Sequence, residues 1–110
     1  MGYGANSPSL ERWKEMTLSE QMANIGSEIS RAIHWRNKGE TDFSKNAVNR
    51  ALELIYLTIE TVTKVSHYKE LTRMRELLKD YFYFNNEYSS SDIQWEKYFN
   101  HFNYIARKPK

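Results

Sequence analysis

The amino-acid sequence predicts an all-α protein, folded as an antiparallel up-down-up-down four-helix bundle. Three observations favour this architecture. Apolar residues recur at steps of three and four in each long segment, as they do along one face of an α-helix. The stretches between these segments are short, and short connections join antiparallel neighbours. The chain of 110 residues also has only four glycines and two prolines, so the long segments contain few helix breakers.

The N-terminal part of the chain differs in composition from the rest. We expect a flexible extension at residues 1–16, followed by the bundle domain at residues 17–108. The first nine residues read MGYGANSPS, a composition typical of mobile termini. Ser7 and Pro8 are placed to start a short helical turn. Trp13 lies in that turn and would then fold back onto the bundle.

The first long helix is predicted at residues 18–38. Thr17 and Glu20 have the spacing of a capping box, which satisfies two backbone N–H groups at a helix start. Gly39 is suited to end the helix, because glycine readily adopts the left-handed conformation found after the last turn. Gly26 costs about 1 kcal/mol relative to alanine unless a neighbouring helix uses the space. The inner positions are Leu18, Met22, Ile25, Ile29 and Ile33.

The second helix, at residues 43–65, is the most apolar, and we expect the other helices to pack around it. Asp42 is its predicted N-cap. Two adjacent stripes make its apolar face too wide for a single neighbour. The first stripe contains Val48, Leu52, Ile55, Ile59 and Val62. The second contains Ala47, Ala51, Leu54 and Thr58.

Two further helices complete the predicted bundle. The third covers residues 67–83 after Ser66 as N-cap, and the turn-rich residues 85–91 form a loop. The fourth covers residues 92–107 and opens with a second capping box at Ser91. The inner positions of the third helix are Leu71, Met74, Leu78 and Tyr81. Those of the fourth are Trp95, Tyr98, Phe99, Phe102, Ile105 and Ala106.

The composition argues against several classes of protein. The sequence has no cysteine, which rules out disulfides, a thiolate nucleophile and Cys-based zinc or iron–sulfur sites. No apolar run of about 18 residues occurs, so we expect no membrane span. No secretory leader pattern is present, and a cytoplasmic location is the default expectation. The net charge of +2 is far from that of a dedicated nucleic-acid binder.

Motifs for catalysis and cofactor binding are missing from the sequence. His34, His67 and His101 fall in three different predicted segments, and no Glu-x-x-His pair occurs, although a di-metal site in a bundle needs such pairs. There is also no G-x-S-x-G elbow and no Gly-rich phosphate loop. We therefore predict no catalytic residue, no metal and no cofactor.

A group of polar residues beside the inner stripes supplies the candidate binding site. Arg31 and Trp35 share one helix face, where a guanidinium group can lie near an indole ring or hold an anionic ligand. The alternative is a solvated face with ordinary ion pairs, which contribute little to stability. The candidate ligand- or partner-binding residues are Glu28, Arg31, Trp35, Arg50, Glu53, Arg75 and Asp80.

Aromatic residues are concentrated in the second half of the chain. They make up 15% of the sequence, with a run of four from Tyr81 to Phe84. This is more ring surface than one face of two short helices needs, so some rings should reach the surface. Three interpretations stay open: a bundle core, a subunit interface and a surface that stacks on nucleic-acid bases.

The order of features resembles the opening of HEPN-type four-helix domains. A first helix ending in AIHWRNKG is followed by a helix reading NAVNRALELIYLTI, which is similar to the W-x-x-x-G ending and A-x-x-x-A-x-E-L helix of that family. The similarity covers about Ile25 to Leu57. It implies a dimerising antiparallel bundle that works beside a minimal nucleotidyltransferase or on RNA. Nuclease members carry an Arg followed by a His after four to six residues, but only two residues separate Arg31 from His34.

The sequence therefore predicts a non-catalytic interaction module that self-associates and acts as a partner subunit of a nucleotide-handling enzyme. The alternative is an RNA- or nucleotide-binding protein with a basic and aromatic face. That alternative requires its basic residues to converge on one surface. The residues concerned are Arg31, Arg36, Arg73, Arg75 and the C-terminal Arg107, Lys108 and Lys110.

Overall fold

The computed structural model describes residues 8–107, and it confirms the all-α class. Five helices are present, and no strand occurs in this part of the chain. A short helix, α1, precedes the four long helices that the sequence predicts. The helices are α1 (Leu10–Lys14), α2 (Leu18–Asn37), α3 (Thr41–Thr61), α4 (Val65–Tyr83) and α5 (Asp92–Arg107).

Both ends of α2 form as predicted. The Thr17 hydroxyl accepts from the Glu20 N–H at 3.1 Å, and the Glu20 carboxylate accepts from the Thr17 N–H at 2.8 Å. At the other end Gly39 has a φ of +80°. The Gly39 N–H donates to the Arg36 carbonyl at 3.0 Å, and the following N–H donates to Trp35 at 2.9 Å. These bonds form a Schellman motif, which turns the chain directly into α3.

The predicted caps of α3 and α4 are wrong. Helix α3 begins at Thr41, so Asp42 lies in its first turn. Helix α4 begins at Val65, so Ser66 lies within it. The end of α3 also comes earlier than predicted, because Val62 adopts an extended conformation with a ψ of 146°. Three consecutive β-branched residues, at positions 61–63, favour extended backbone at this point.

The start of α5 is confirmed. The Ser91 N–H donates to the Gln94 side-chain oxygen at 3.0 Å, and the Gln94 N–H donates to the Ser91 hydroxyl at 3.2 Å. This reciprocal pair is the predicted capping box. The loop between α4 and α5 covers residues 84–91, close to the predicted range.

Helices α2 and α3 together form the centre of the fold. Helix α3 packs against α1, α2 and α4, whereas α5 packs on α2, so α3 is not the single helix around which all others pack. The Ser44 hydroxyl donates to the Ala32 carbonyl at 2.8 Å. Further along, Arg50 Nε donates to Glu28 Oε2 at 2.5 Å. Along this contact the residue numbers increase on α3 while they decrease on α2. The two helices are therefore antiparallel.

Helix α5 approaches α2 very closely at Gly26. A Cβ atom on Gly26 would lie 2.6 Å from the Cβ of Phe99. A neighbouring helix therefore uses the space at Gly26, which is the condition under which glycine is favoured at this helical position. Near the other end of α2, the Asn37 amide donates to Asp92 Oδ2 at 3.2 Å. These two contacts show that α5 is antiparallel to α2.

Helices α4 and α5 meet mainly through side chains. The Tyr98 hydroxyl donates to Glu70 Oε2 at 3.0 Å across this seam. A cleft of about 530 Å³ remains between the two helices, lined in part by Arg73 and Trp95. Helix α4 is tied to α3 by Tyr83, whose hydroxyl donates to the Asn49 side chain at 2.8 Å.

The core extends to α1 through Trp13, which is 2% exposed. Its indole N–H donates to the Thr58 hydroxyl at 2.9 Å, so the predicted fold-back of Trp13 onto the long helices is confirmed. The packed core thus begins before the predicted domain boundary at residue 17. Ser9 is the N-cap of α1, whereas Ser7 and the rest of residues 1–7 lie outside the described part of the chain, as does the flexibility predicted for them.

The inner face of α5 is shorter than predicted. Trp95 and Phe99 are buried and stack with ring centroids 6.2 Å apart. Ile105, which was expected to face inward, is 40% exposed. None of the described helices is long and apolar enough to cross a bilayer.

Candidate binding sites

The first candidate site is a groove between α1, α2 and α3, which we call the arginine groove. Its volume is about 760 Å³. The charged residues that line it are Arg12, Arg31, Arg50 and Glu28. Apolar lining comes from Trp13, Met16 and Leu54. The groove exists because α1 lies against α3 and leaves open space beside the middle of α2.

Glu28 is the organising residue of the arginine groove. Its side chain is 7% exposed, and both carboxylate oxygens accept hydrogen bonds. Arg31, three residues later on α2, donates to Oε1. Arg50 reaches from α3 and donates to Oε2 at 2.5 Å. The side chains of Arg31 and Arg50 remain 61% and 43% exposed, so one buried carboxylate holds two solvent-facing guanidinium groups.

Trp35 does not belong to this groove. Its ring packs against Phe43 with centroids 5.0 Å apart. Sequence reasoning placed Arg31 near this indole, but Arg31 pairs with Glu28. The reason is electrostatic, since a carboxylate attracts a guanidinium group more strongly than an aromatic ring does.

The other predicted site residues are also separate from the arginine groove. Glu53 is partly buried on α3, one turn after Arg50. Arg75 lies on α4, with its Nε 3.4 Å from Glu76 Oε1. The structure therefore brings together three of the predicted residues, Glu28, Arg31 and Arg50.

The second candidate site is the loop at residues 84–91, which we call the aromatic loop. Asp80, another predicted site residue, is buried beneath it. One Asp80 carboxylate oxygen accepts from the Glu87 N–H at 2.8 Å, and the other accepts from the Tyr88 N–H at 3.1 Å. The Asp80 carbonyl accepts from the N–H groups of Phe84 and Asn86. Asp80 therefore fixes the loop and is not itself presented to a ligand.

Further local contacts hold the aromatic loop in a defined shape. The Asn86 side chain donates to the Ser90 carbonyl at 3.0 Å and accepts from the Ser90 N–H at 2.9 Å. Asn86 and Ser89 have φ angles of +52° and +54°, a region that asparagine tolerates better than most residues. This framework displays Phe84 and Tyr88, which are 70% and 68% exposed.

The basic residues proposed for RNA contact lie in separate places. Arg31 lines the arginine groove, and Arg73 lines the cleft between α4 and α5. Arg36 donates to Asp92 Oδ1 at 2.7 Å and lies 4.5 Å from the centre of the Tyr81 ring. Lys108 and Lys110 fall outside the described residues. Among the described residues of this set, Arg31, Arg36 and Arg73 are therefore held in three different surroundings.

Three tyrosines have pKa values above the ordinary one. Burial, followed by the charge of Glu70, raises the pKa of Tyr98. Burial and a hydrogen bond to Asp92 raise the pKa of Tyr81, while Arg36 opposes the shift. Burial alone raises the pKa of Tyr83. All three hydroxyls therefore stay protonated, and act as hydrogen-bond donors, at neutral pH.

Within residues 8–107, no group of three His, Asp or Glu side chains is arranged to hold a metal ion. The arginine groove offers cationic donors with a single buried carboxylate, a set suited to anions. The chemistry that this arrangement supports is binding.

Comparisons with protein-family models, with curated proteins and with solved structures found no match to this chain. The resemblance to HEPN domains stays a prediction that rests on the residues between Ile25 and Leu57. Function is therefore inferred from the geometry of the arginine groove and the aromatic loop.

Proposed function

We propose that the protein is a non-catalytic interaction module, in which the four long helices act as one up-down-up-down bundle and the aromatic loop is the contact surface. A second copy of the chain is the occupant that we propose for this surface. One observation carries the proposal: a buried carboxylate, Asp80, fixes a loop that exposes the Phe84 and Tyr88 rings.

The exposed rings favour association for two reasons. Aromatic side chains bury about 150–250 Å² each when covered, so they dominate the energetics of many interfaces. A loop that is already fixed also loses little conformational entropy when it binds. Phe84 and Tyr88 have both properties, because backbone bonds to Asp80 hold their segment in place.

The charges beside the rings give the association a distinctive salt dependence. Glu76 and Glu87 line the same shallow cavity as Phe84 and Tyr88. In a symmetric dimer this patch faces its own copy. Its excess negative charge, which the Arg75–Glu76 ion pair offsets only in part, is then repulsive. Added salt screens that repulsion. We therefore expect self-association to strengthen with salt, whereas contact between the acidic loop and a basic surface would weaken.

The expected result for the wild-type chain is a dimer at tens of micromolar in size-exclusion chromatography with light scattering. Replacing Phe84 and Tyr88 together by serine should raise the dissociation constant about a thousandfold or more, because a symmetric dimer loses four buried anchors that contribute roughly 1–2 kcal/mol each. Asp80→Asn should weaken the dimer as well, since the amide group cannot accept both loop N–H groups as a carboxylate does.

Tyr104→Ser is the matched control, because Tyr104 is as exposed as Tyr88 but lies on α5 outside the loop. It should leave the dimer intact. A wild-type chain that stays monomeric at several hundred micromolar would refute the proposal. So would a dimer that Phe84 and Tyr88 do not affect.

The resemblance to HEPN domains extends this proposal to a complex in which the chain is the partner subunit of a nucleotide-handling enzyme. Mixing the chain with that enzyme should then give a stoichiometric complex. The variant with serine at both Phe84 and Tyr88 should not form it. If the variant still forms the complex, the contact with the enzyme lies outside the aromatic loop. RNA binding is not proposed, because Arg31, Arg36 and Arg73 lie apart.

A further inference from the structure

We infer that the arginine groove is a binding site for a small phosphate monoester with a planar apolar body, the chemistry of a nucleoside monophosphate. The site is separate from the aromatic loop, and the inference does not depend on self-association. It starts from an unusual arrangement, in which one buried carboxylate orients two exposed guanidinium groups.

The arginine groove contains more positive charge than is needed to neutralise Glu28. Glu28 would be neutralised by a single arginine, but Arg31 and Arg50 both bind it. Arg12 lines the same groove and is exposed. The three arginines and one glutamate leave two positive charges. A phosphate monoester carries about 1.5 to 2 negative charges at pH 7, which matches this excess.

Glu28 prepares the guanidinium groups for an anion. A guanidinium group has five N–H donors in a fixed fork, so each arginine keeps donors free after it binds Glu28. The two ion pairs also restrict the long arginine side chains, which lowers the entropy lost when a ligand binds. Because both Glu28 oxygens accept from arginine, the guanidinium groups stand between the carboxylate and an incoming phosphate.

The rest of the groove suits a planar apolar body. Met16 and Leu54 supply apolar surface beside the arginines, and Asn24 and Ser27 supply polar atoms. The Asn24 amide nitrogen and the Ser27 hydroxyl donate hydrogen bonds to carbonyl groups of their own helix. The side-chain oxygens of Asn24 and Ser27 therefore remain as acceptors. A purine ring has an apolar face and N–H donors at its edge. The volume of about 760 Å³ also lies within the usual range for small-ligand sites.

The experiment is a titration of the 15N-labelled full chain at low salt, observed by heteronuclear NMR. The probes are AMP, adenosine, inorganic phosphate and glycerol 3-phosphate. AMP should shift the signals of residues around the groove with a dissociation constant in the micromolar to millimolar range. Phosphate and glycerol 3-phosphate should bind at least about tenfold more weakly, and adenosine weaker still, because each lacks one half of the recognised ligand.

The variants separate binding from folding. Arg31→Gln and Arg50→Gln should each weaken AMP binding about tenfold or more. In the NMR spectrum of each variant, signals of residues far from the substitution should keep their wild-type positions, which reports an intact fold. Arg50→Lys should also weaken AMP binding, because lysine keeps the charge but lacks the planar fork. Arg73→Gln, in the cleft between α4 and α5, is the matched control and should bind AMP normally. The double serine variant of the aromatic loop should do so too.

Three outcomes would overturn the inference. The first is the absence of AMP binding at ten millimolar in a folded wild-type chain. The second is an equal loss for Arg73→Gln and Arg31→Gln, which would indicate diffuse attraction to positive charge. The third is equal affinity for AMP, glycerol 3-phosphate and inorganic phosphate, which would mean that the apolar part of the groove recognises nothing.

Discussion

Trp13→Ala is expected to lower the free energy of unfolding by about 3–5 kcal/mol, the usual cost of truncating a large buried aromatic residue. Trp13 joins α1 to the core and is 2% exposed. Its removal leaves a cavity and also leaves the Thr58 hydroxyl without the indole donor. Urea unfolding followed by circular dichroism measures the effect without relying on the fluorescence of the deleted residue.

Two other variants divide the effect of Trp13 into packing and hydrogen bonding. Trp13→Phe keeps most of the apolar contact and loses the bond to Thr58, so a loss of about 1–3 kcal/mol is expected. Thr58→Val leaves the indole N–H unpaired and should cost a similar amount. The double variant should cost less than the sum of the two. A loss below 1 kcal/mol for Trp13→Ala would mean that α1 contributes little to the fold.

Gly26→Ala is expected to destabilise the protein by about 1–3 kcal/mol, even though alanine favours a helix by about 1 kcal/mol over glycine. The added methyl group would lie 2.6 Å from Phe99 Cβ, an atom next to the backbone of α5. Such an atom cannot turn away, so α5 itself must shift. Thermal and urea unfolding of the variant measure the loss.

Ser30→Ala provides the control for Gly26, because Ser30 is exposed on the same helix and its replacement should be neutral or slightly stabilising. Phe99→Ala removes the ring atoms that lie 2.7 and 2.8 Å from the added methyl group but keeps Cβ. Gly26→Ala should therefore cost less in the Phe99→Ala background. An increase in stability for Gly26→Ala alone would contradict the close approach of α2 and α5.

Helix ends were predictable where a few neighbouring residues determine them. The Thr17 and Ser91 capping boxes and the Gly39 ending are local, and all three form. Asp42 and Ser66 have equally good capping side chains, but neither of them caps a helix. The Schellman motif at Gly39 leads the chain into α3 before Asp42 is reached.

Burial in α3 was predicted less well. Leu57 is fully buried, although it belongs to neither predicted stripe. Leu52 and Ile59, from the first stripe, are only partly buried. Periodicity gives the width of an apolar face, but the neighbours decide which side is covered. Helix α3 touches three other helices, so its buried arc is displaced toward Leu57.

In the candidate sites, too, contacts between residues close in sequence were predictable, whereas contacts that depend on helix packing were not. Glu28 and Arg31 are three residues apart on one helix, so their pairing could be predicted from the sequence. Arg50 joins them only because of how α2 and α3 are aligned. Asp80 was named from the sequence as a candidate binding residue, whereas in the structure its carboxylate accepts from the backbone N–H groups of the loop that follows it. No sequence spacing indicated that arrangement.

The polar contacts between α2 and α3 have a consequence for the uniqueness of the fold. Ile25, Ile29 and Ile33 repeat every four residues, so sliding α3 by one helical turn of about 5.4 Å would still bring apolar groups together. That slip would separate Ser44 from Ala32 and Arg50 from Glu28. Each buried polar group left unpaired costs about 1–3 kcal/mol. The carboxylate that orients the arginines therefore also sets the register of the two central helices, which their apolar residues alone leave ambiguous.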